Sequence, residues 1–154
     1  MKRNFKKCFI TGITGAGGSY LAEFILKQNK SVKIFGSYRS KGNISLLKKK
    51  YNKKIKFFKI DLNNYKKLKI ILKKIRPDLI FNFASNPDVR LSFDFPREFI
   101  NNNFNSSLNL FESVRTLNFK PLIIHCSTSE VYGSVSKKDV PIKENLKMCP
   151  VSPY

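Results

Sequence analysis

A glycine-rich turn near the N-terminus is the first place where residue types and spacing suggest chemistry. Gly12, Gly15 and Gly18 lie three residues apart, after the apolar run 7–11 and before a segment of helical period. In this setting the first glycine allows a sharp turn, the second lets the backbone approach a pyrophosphate, and the third lets the helix pack against the strand. Unpaired N–H groups at the helix start would face the phosphates. The motif predicts a dinucleotide site whose residues in this stretch are Gly12, Ile13, Thr14, Gly15, Gly17 and Gly18.

Later positions bear on which dinucleotide is bound. An acidic residue after the second strand would bind the ribose hydroxyls of NAD, but the segment 36–40 contains none. Arg39 could instead pair with the 2′-phosphate of NADP, with Ser40 adding a hydroxyl, or it could be a simple surface arginine. Asp61 and Leu62 follow the third predicted strand, where the carboxylate could accept a hydrogen bond from adenine or cap a helix. We therefore expect NADP as the cofactor, with NAD as the alternative.

These residues must be positioned by elements that alternate along the chain. Short apolar runs without period-two alternation predict strands buried on both sides, and the segments between them have helical period. The predicted strands are 7–11, 31–36, 55–60, 79–83 and 122–126. The predicted helices are 19–29, 43–50, 65–75 and 99–118. In the last helix, the residues expected on the buried side are Leu108, Phe111, Val114 and Leu117.

Strand–helix alternation of this kind indicates an α/β fold. We expect a Rossmann-type doubly wound parallel sheet with helices on both faces. Such a fold is built from two βαβαβ halves, and this chain supplies the first half and the opening of the second. Residues 1–154 are therefore expected to form one incomplete, truncated NAD(P)-binding domain.

The composition excludes several classes of protein. A hydrophobic fraction of 42% argues against disorder, and neither a bilayer-spanning run nor a signal region is visible, so we expect a cytoplasmic protein. The net charge of +20 comes from lysines spread over separate segments, which favours a solvated surface over nucleic-acid binding, although it would attract anionic ligands. Three cysteines and one histidine without paired spacing predict no metal site. Cys8 and Cys126 are expected to be buried free thiols.

Four segments carry a resemblance to a known family. They are 18–26 (GSYLAEFIL), 92–94 (SFD), 127–133 (STSEVYG) and 150–154 (PVSPY). Together with the glycine spacing they resemble the GDP-mannose 4,6-dehydratase family of the extended short-chain dehydrogenase/reductase superfamily. The resemblance covers the whole chain, and the glycine motif alone is specific only to the superfamily.

The resemblance implies an internal redox reaction on a nucleotide sugar, with GDP-mannose as the expected substrate and a homo-oligomer as the expected full-length form. Thr128 would hydrogen-bond the 4-hydroxyl of the sugar, Glu130 would remove the C5 proton, and Tyr154 would take the proton of the 4-hydroxyl. The cofactor would also be lined by the residues after the fourth strand, Phe83, Ala84, Ser85 and Asn86.

The sequence also departs from the family pattern. Ala16–Gly17 stands where the family has Gln-Asp, and 86–88 stands where it has Gln-Ser-His, which leaves the sugar nucleotide open. The superfamily has a lysine four residues after the tyrosine that matches Tyr154, and a later substrate domain. We therefore expect this chain alone to be inactive.

Three alternatives remain open from the sequence. The first is an NAD(P)-dependent nucleotide-sugar epimerase or decarboxylase of the same superfamily; some decarboxylases share the position of Glu130. The second is a non-catalytic dinucleotide-binding fragment, and the third, less favoured, is a nucleic-acid-binding module.

Overall fold

The computed structural model of the chain describes residues 5–40, 42–51 and 53–154. Its strands are β1 (Lys7–Thr11), β2 (Lys33–Tyr38), β3 (Ile55–Lys59), β4 (Leu79–Asn82) and β5 (Leu122–His125). Its α-helices are α1 (Ala16–Gln28), α2 (Ile44–Tyr51), α3 (Tyr65–Ile75), α4 (Val89–Asp94), α5 (Pro96–Phe99) and α6 (Ser106–Thr116). A π-helical segment, Ile100–Asn105, joins α5 to α6, and short 3₁₀ turns lie at Ser129–Tyr132 and Lys137–Asp139.

The strands form one parallel sheet in the order β3-β2-β1-β4-β5. This order reverses direction next to β1, which has β2 on one side and β4 on the other. In open parallel sheets ligands bind beyond the carboxyl ends of the strands at such a point. The predicted α/β, doubly wound fold is confirmed.

Alternate residues of β1 enter the two cores that cover the sheet. Phe9 packs with the apolar residues of α3 and α6, whereas Cys8 and Ile10 pack with those of α1. All three side chains are fully buried. Burial of a large apolar side chain contributes roughly 1.5–3 kcal/mol to stability. Packing on both faces therefore fixes β1, the strand that leads into the glycine turn.

Helix α3 has the bounds that the sequence predicts. The side chain of Asn64 accepts a hydrogen bond of 3.0 Å from the Lys67 N–H and caps the start. Arg76, with φ of 41°, ends the helix in the left-handed region, and Pro77 follows. The buried residues Leu68, Ile71, Leu72 and Ile75 share one face, as a helical period requires. None of the helices in the described ranges is both long and apolar enough to cross a membrane.

The predicted helix 99–118 is interrupted, and its predicted buried side is partly wrong. Leu108 and Phe111 are exposed at 49% and 39%, whereas Leu110 is fully buried. Val114 is buried as predicted, and Leu117 packs partly buried against the core. The π-helical segment has i→i+5 bonds, so it accommodates one extra residue per turn. The four predicted residues all lie after this segment and are spaced three apart, whereas the residues buried in α6, Ser106, Leu110, Ser113 and Val114, follow a period of 3.6 residues.

The two cysteines predicted to be buried differ. Cys8 is buried in β1, and burial raises the pKa of its thiol to about 12, with the charge of Asp78 acting in the same direction. Cys126 is exposed, so that prediction is wrong. It follows β5, which lies at the edge of the sheet, and Leu122 and Ile124 of that strand are also exposed, at 37% and 44%.

Candidate functional site

The glycine turn joins β1 to α1 in a conformation that depends on glycine. Gly12 has φ of +66°, in the left-handed region, and its carbonyl accepts a 2.9 Å bond from the Gly15 N–H. A Cβ on Gly18 would lie 2.6 Å from the same carbonyl oxygen, so only glycine lets α1 approach the turn. Gly15 precedes α1 without a side-chain cap. The first N–H groups of α1 are therefore available to an anion.

A cavity of about 280 Å³ opens beside this turn, at the carboxyl ends of the central strands. Most of the predicted cofactor residues line it, namely Gly12, Thr14, Gly15, Arg39, Ser40, Asp61, Leu62, Phe83, Ala84, Ser85 and Asn86. We call it the dinucleotide cavity. The fold thus brings together residues from four separate strand ends.

Three of the predicted cofactor residues do not line this cavity. Ile13 is fully buried, where its side chain packs against Gly36. Gly18 is buried under the turn. Gly17 is exposed in the first turn of α1, and a Cβ there would only touch the ring of Phe83, at 3.5 Å. Ile13 and Gly18 therefore act through packing, and Gly17 leaves the helix start uncovered.

Arg39 lies at the mouth of the dinucleotide cavity. Its Nη1 donates a 2.6 Å hydrogen bond to Oδ1 of Asn102, which lies on the π-helical segment. The same nitrogen is 4.0 Å from Oδ2 of Asp61. Because both charged side chains are about half exposed, this ion pair contributes little. The other carboxylate oxygen of Asp61 accepts the Asn63 N–H at 2.9 Å in the turn before α3, and the helix itself is capped by Asn64 and not by Asp61.

A buried polar network fixes the backbone between β4 and the cavity. The Thr11 hydroxyl donates to Oδ1 of Asn82 at 2.6 Å and accepts the N–H groups of Phe83 and Ala84 at 3.1 and 3.0 Å. Since the amide oxygen of Asn82 faces Thr11, its Nδ2 must donate to Nδ1 of His125, 3.0 Å away. The neutral ring of His125 therefore carries its proton on Nε2.

A second cavity of about 420 Å³ lies beside the first, and we call it the Tyr154 cavity. Thr128 and Tyr154 both line it, so the fold brings these two predicted catalytic residues together. The side chain of Glu130 does not line it; Glu130 lies on the 3₁₀ turn, and its N–H bonds to the Thr128 hydroxyl oxygen at 3.2 Å. In the described part of the chain this hydroxyl accepts that bond and donates none, so its proton is available to a ligand. The two cavities share Phe83, Ala84 and Ser85.

Several residues that line the cavities were not predicted. In the dinucleotide cavity they are Ser37, Tyr38, Gly42, Ile60, Asn102 and Ser106. The sequence did carry a signal for Asn102: the run Asn101–Asn103 interrupts the apolar pattern of a helix. Asn103 uses its side chain to bond both the N–H and the carbonyl of Asn86, at 2.7 and 3.1 Å. Polar residues on this segment therefore hold the loop after β4.

The sequence is similar to that of known nucleotide-sugar enzymes. The family model described as GDP-mannose 4,6 dehydratase matches residues 9–154. The GDP-mannose 4,6-dehydratase of Yersinia enterocolitica is 35% identical over 157 residues, which covers 97% of this chain and 42% of that protein.

Solved structures have the same fold. The UDP-Glc/GlcNAc 4-epimerase of Campylobacter jejuni superposes with a TM-score of 0.86 at 27% identity, over 97% of this chain and 44% of that one. The UDP-glucose 4-epimerase of Brucella ovis in complex with NAD gives 0.85 at 23% identity, over 97% of this chain and 43% of that one. The chain spans less than half the length of these relatives.

Proposed function

The chain belongs to the GDP-mannose 4,6-dehydratase family, and we propose that it forms the dinucleotide-binding part of a nucleotide-sugar 4,6-dehydratase. One observation supports this most directly. Phe83, Ala84 and Ser85 line both the dinucleotide cavity and the Tyr154 cavity. A dinucleotide that runs from Arg39 past the glycine turn would therefore end beside Thr128 and Tyr154. Because the chain covers 42% of the Yersinia enzyme, turnover is proposed for a protein of that full length and not for this chain alone.

The residues present fit a nicotinamide dinucleotide. The glycine turn offers N–H groups to the pyrophosphate, and Asp61 lies where an adenine or its ribose would bind. We propose NADP over NAD because Arg39 follows β2 and lines the dinucleotide cavity, and because the segment 36–40 contains no acidic residue. Asn102 holds only Nη1 of Arg39, so in the described residues the other guanidinium N–H groups have no hydrogen-bond partner.

The cofactor proposal is tested by titrating this chain with NADP and with NAD. A charge-assisted hydrogen bond is worth about 1.5–3 kcal/mol, which predicts a preference for NADP of roughly ten- to a hundredfold. Arg39→Ala should remove that preference and leave NAD affinity nearly unchanged. Arg115→Ala is the matched control, since Arg115 is an exposed arginine that pairs with Glu112 on α6. Equal affinities for both dinucleotides in the unmodified chain would contradict the proposal.

The chemistry assigned to the chain concerns protons. When bound, the nicotinamide ring supplies the hydride acceptor for C4 of the sugar and the donor for C6. Tyr154 takes the proton of the 4-hydroxyl, and Thr128, whose hydroxyl proton is free to be donated, holds the same oxygen. Oxidation at C4 acidifies the C5 proton, and Glu130 removes it. Loss of the C6 hydroxyl as water then leaves a double bond between C5 and C6, and addition of hydride at C6 and of a proton at C5 would give the 4-keto-6-deoxy sugar.

Two substitutions separate these roles in a protein of the relatives' full length that carries this chain. Tyr154→Phe should prevent formation of the reduced dinucleotide from GDP-mannose. Glu130→Gln keeps the shape of the side chain but removes a base. This variant should oxidise C4, while solvent deuterium enters C5 about 10²–10⁴-fold more slowly than in the unmodified protein. Single-turnover absorbance and mass spectrometry follow the two steps.

The second candidate is a nucleotide-sugar 4-epimerase, which is favoured by the likeness to the Campylobacter enzyme. An epimerase does not need a base for C5. A 4-epimer as product, with no solvent deuterium at C5 in the unmodified protein or in Glu130→Gln, would therefore replace the dehydratase with this candidate. A 4-keto-6-deoxy product excludes the epimerase.

A further inference from the structure

Gly133 ends the 3₁₀ turn Ser129–Tyr132 in a conformation that other residues do not adopt. Its φ is 63° and its ψ is −140°, a region that is nearly restricted to glycine. A Cβ at this position would overlap the carbonyl oxygen of Cys149, and it would also lie 3.3 Å from the side chain of Val151. Gly133 therefore allows the segment 149–151 to lie directly on the end of the turn.

A hydrogen bond fixes the same contact from the other side. The Cys149 N–H donates to the carbonyl of Val131 at 2.9 Å. Val131 itself lines the Tyr154 cavity, together with Thr128 and Tyr154. The turn that follows Thr128 is thus joined to a point five residues before Tyr154. We call the contact between Gly133, Val131 and Cys149 the clasp.

The segment between the two sides of the clasp makes few contacts of its own. Most of residues 134–148 are exposed, including Val140 at 63% and Met148 at 67%. The hydrogen bonds of this loop are local, such as Ser136 Oγ to Asp139 Oδ2 at 2.7 Å and the Leu146 N–H to the Lys143 carbonyl at 3.0 Å. The loop therefore does not determine where the chain re-enters the site, whereas the clasp does.

We propose that Gly133 is a positioning residue for Tyr154, which it places beside Thr128 through the clasp. The catalytic part of this inference rests on the proposed function, while the placement itself does not. A side chain at 133 must push the backbone of Cys149 away, and Tyr154 follows because it is only five residues further along. A displacement of about 1 Å at a reacting group can lower a rate about 10²-fold. Dinucleotide binding should be unaffected, since neither Gly133 nor Cys149 lines the dinucleotide cavity.

The placement is tested by NMR on this chain without any substrate. In Gly133→Ala the Cys149 amide should lose its protection from hydrogen exchange, and nuclear Overhauser contacts between the Tyr154 ring and other residues of its cavity should disappear. Amides of β1 and β4 should keep their protection. Asn118→Ala is the control for backbone strain, because Asn118 also has positive φ, 47°, but lies outside both cavities. Unchanged Cys149 protection and Tyr154 contacts in Gly133→Ala would overturn the inference.

If Gly133→Ala does not fold, a second variant tests whether the clasp or the length of the loop positions Tyr154. Two glycines inserted after Ile142 lengthen the exposed loop and leave the clasp intact. The Tyr154 contacts should then be unchanged, and their loss would show that loop length positions the tyrosine, which contradicts the inference.

The catalytic consequence is measured in a protein of the relatives' full length. Gly133→Ala should lower kcat about 10²-fold, with KM and NADP affinity within about twofold. An equal loss of NADP affinity would indicate general unfolding and would overturn the inference. If the Tyr154 ring moves while kcat stays the same, the placement by Gly133 stands, and it is the assignment of Tyr154 in the proposed function that fails.

Discussion

Replacing Thr11 by valine should destabilise the chain strongly although the two side chains have nearly the same shape. The Thr11 hydroxyl accepts two backbone N–H groups and donates to Asn82, and Thr11 is fully buried. Valine leaves three polar groups without their partner, and each such group costs about 1–3 kcal/mol when water cannot replace the bond. Phe83 and Ala84 are only partly buried, so we expect a total of about 3 kcal/mol.

The assay is urea unfolding of the 154-residue chain. With an m-value of about 2 kcal/mol/M, a loss of about 3 kcal/mol lowers the midpoint by about 1.5 M. Thr11→Ser is the matched control, because it keeps the hydroxyl and loses one methyl group, at about 1 kcal/mol. A valine variant as stable as the serine variant would refute the reasoning, since the network would then contribute nothing beyond packing. The valine variant should also bind NADP more weakly, because the backbone of Phe83 and Ala84 lines the dinucleotide cavity.

Further predictions follow from single sites. Gly18→Ala should cost about 1–3 kcal/mol through overpacking, while Gly17→Ala, whose Cβ meets only a ring at 3.5 Å, should be neutral or stabilising in urea unfolding. Iodoacetamide at pH 8 should modify the two exposed cysteines and leave Cys8 unmodified until the chain unfolds, because burial raises the pKa of its thiol to about 12; labelling of Cys8 in the native chain would contradict this. Hydrogen bonds from Lys50 and then Lys27 lower the pKa of Glu23, so its contribution to stability is present at neutral pH and is lost as pH falls through that lowered pKa. Unfolding of Glu23→Gln should therefore differ from that of the unmodified chain at pH 7 and converge with it below the ordinary glutamate range.

The best-predicted parts of the fold are those that depend on residues close together in the sequence. The bounds of α3 follow from a cap at Asn64 and from Pro77, both of which act within a few residues. The order of α and β elements, and with it the position of the glycine turn, follows from local periodicity in the same way. The chemical roles assigned to Thr128, Glu130 and Tyr154 stay predictions.

The features that could not be predicted depend on contacts between distant residues. Arg39 bonds Asn102, which is 63 positions away, and no local pattern links the two. The buried side of α6 was partly wrong because the predicted residues are apolar and spaced three apart, whereas the buried face includes the polar Ser106 and Ser113, which are buried only by packing against the rest of the fold. The prediction that Cys126 is buried was wrong because this residue follows an edge strand. Which strand lies at the edge of a sheet is a property of the topology and not of the local sequence.

The two edges of the sheet differ in how they would meet another molecule. The edge strand β3 carries exposed Lys56 and Lys59, which repel a second strand. The other edge strand in the described residues, β5, exposes Leu122 and Ile124 and contains no lysine, arginine, aspartate or glutamate. In dilute buffer the net charge of +20 keeps copies apart. Salt shortens the range of that repulsion from about 10 Å at 0.1 M to about 3 Å at 1 M, so copies of this chain should repel one another less as ionic strength rises.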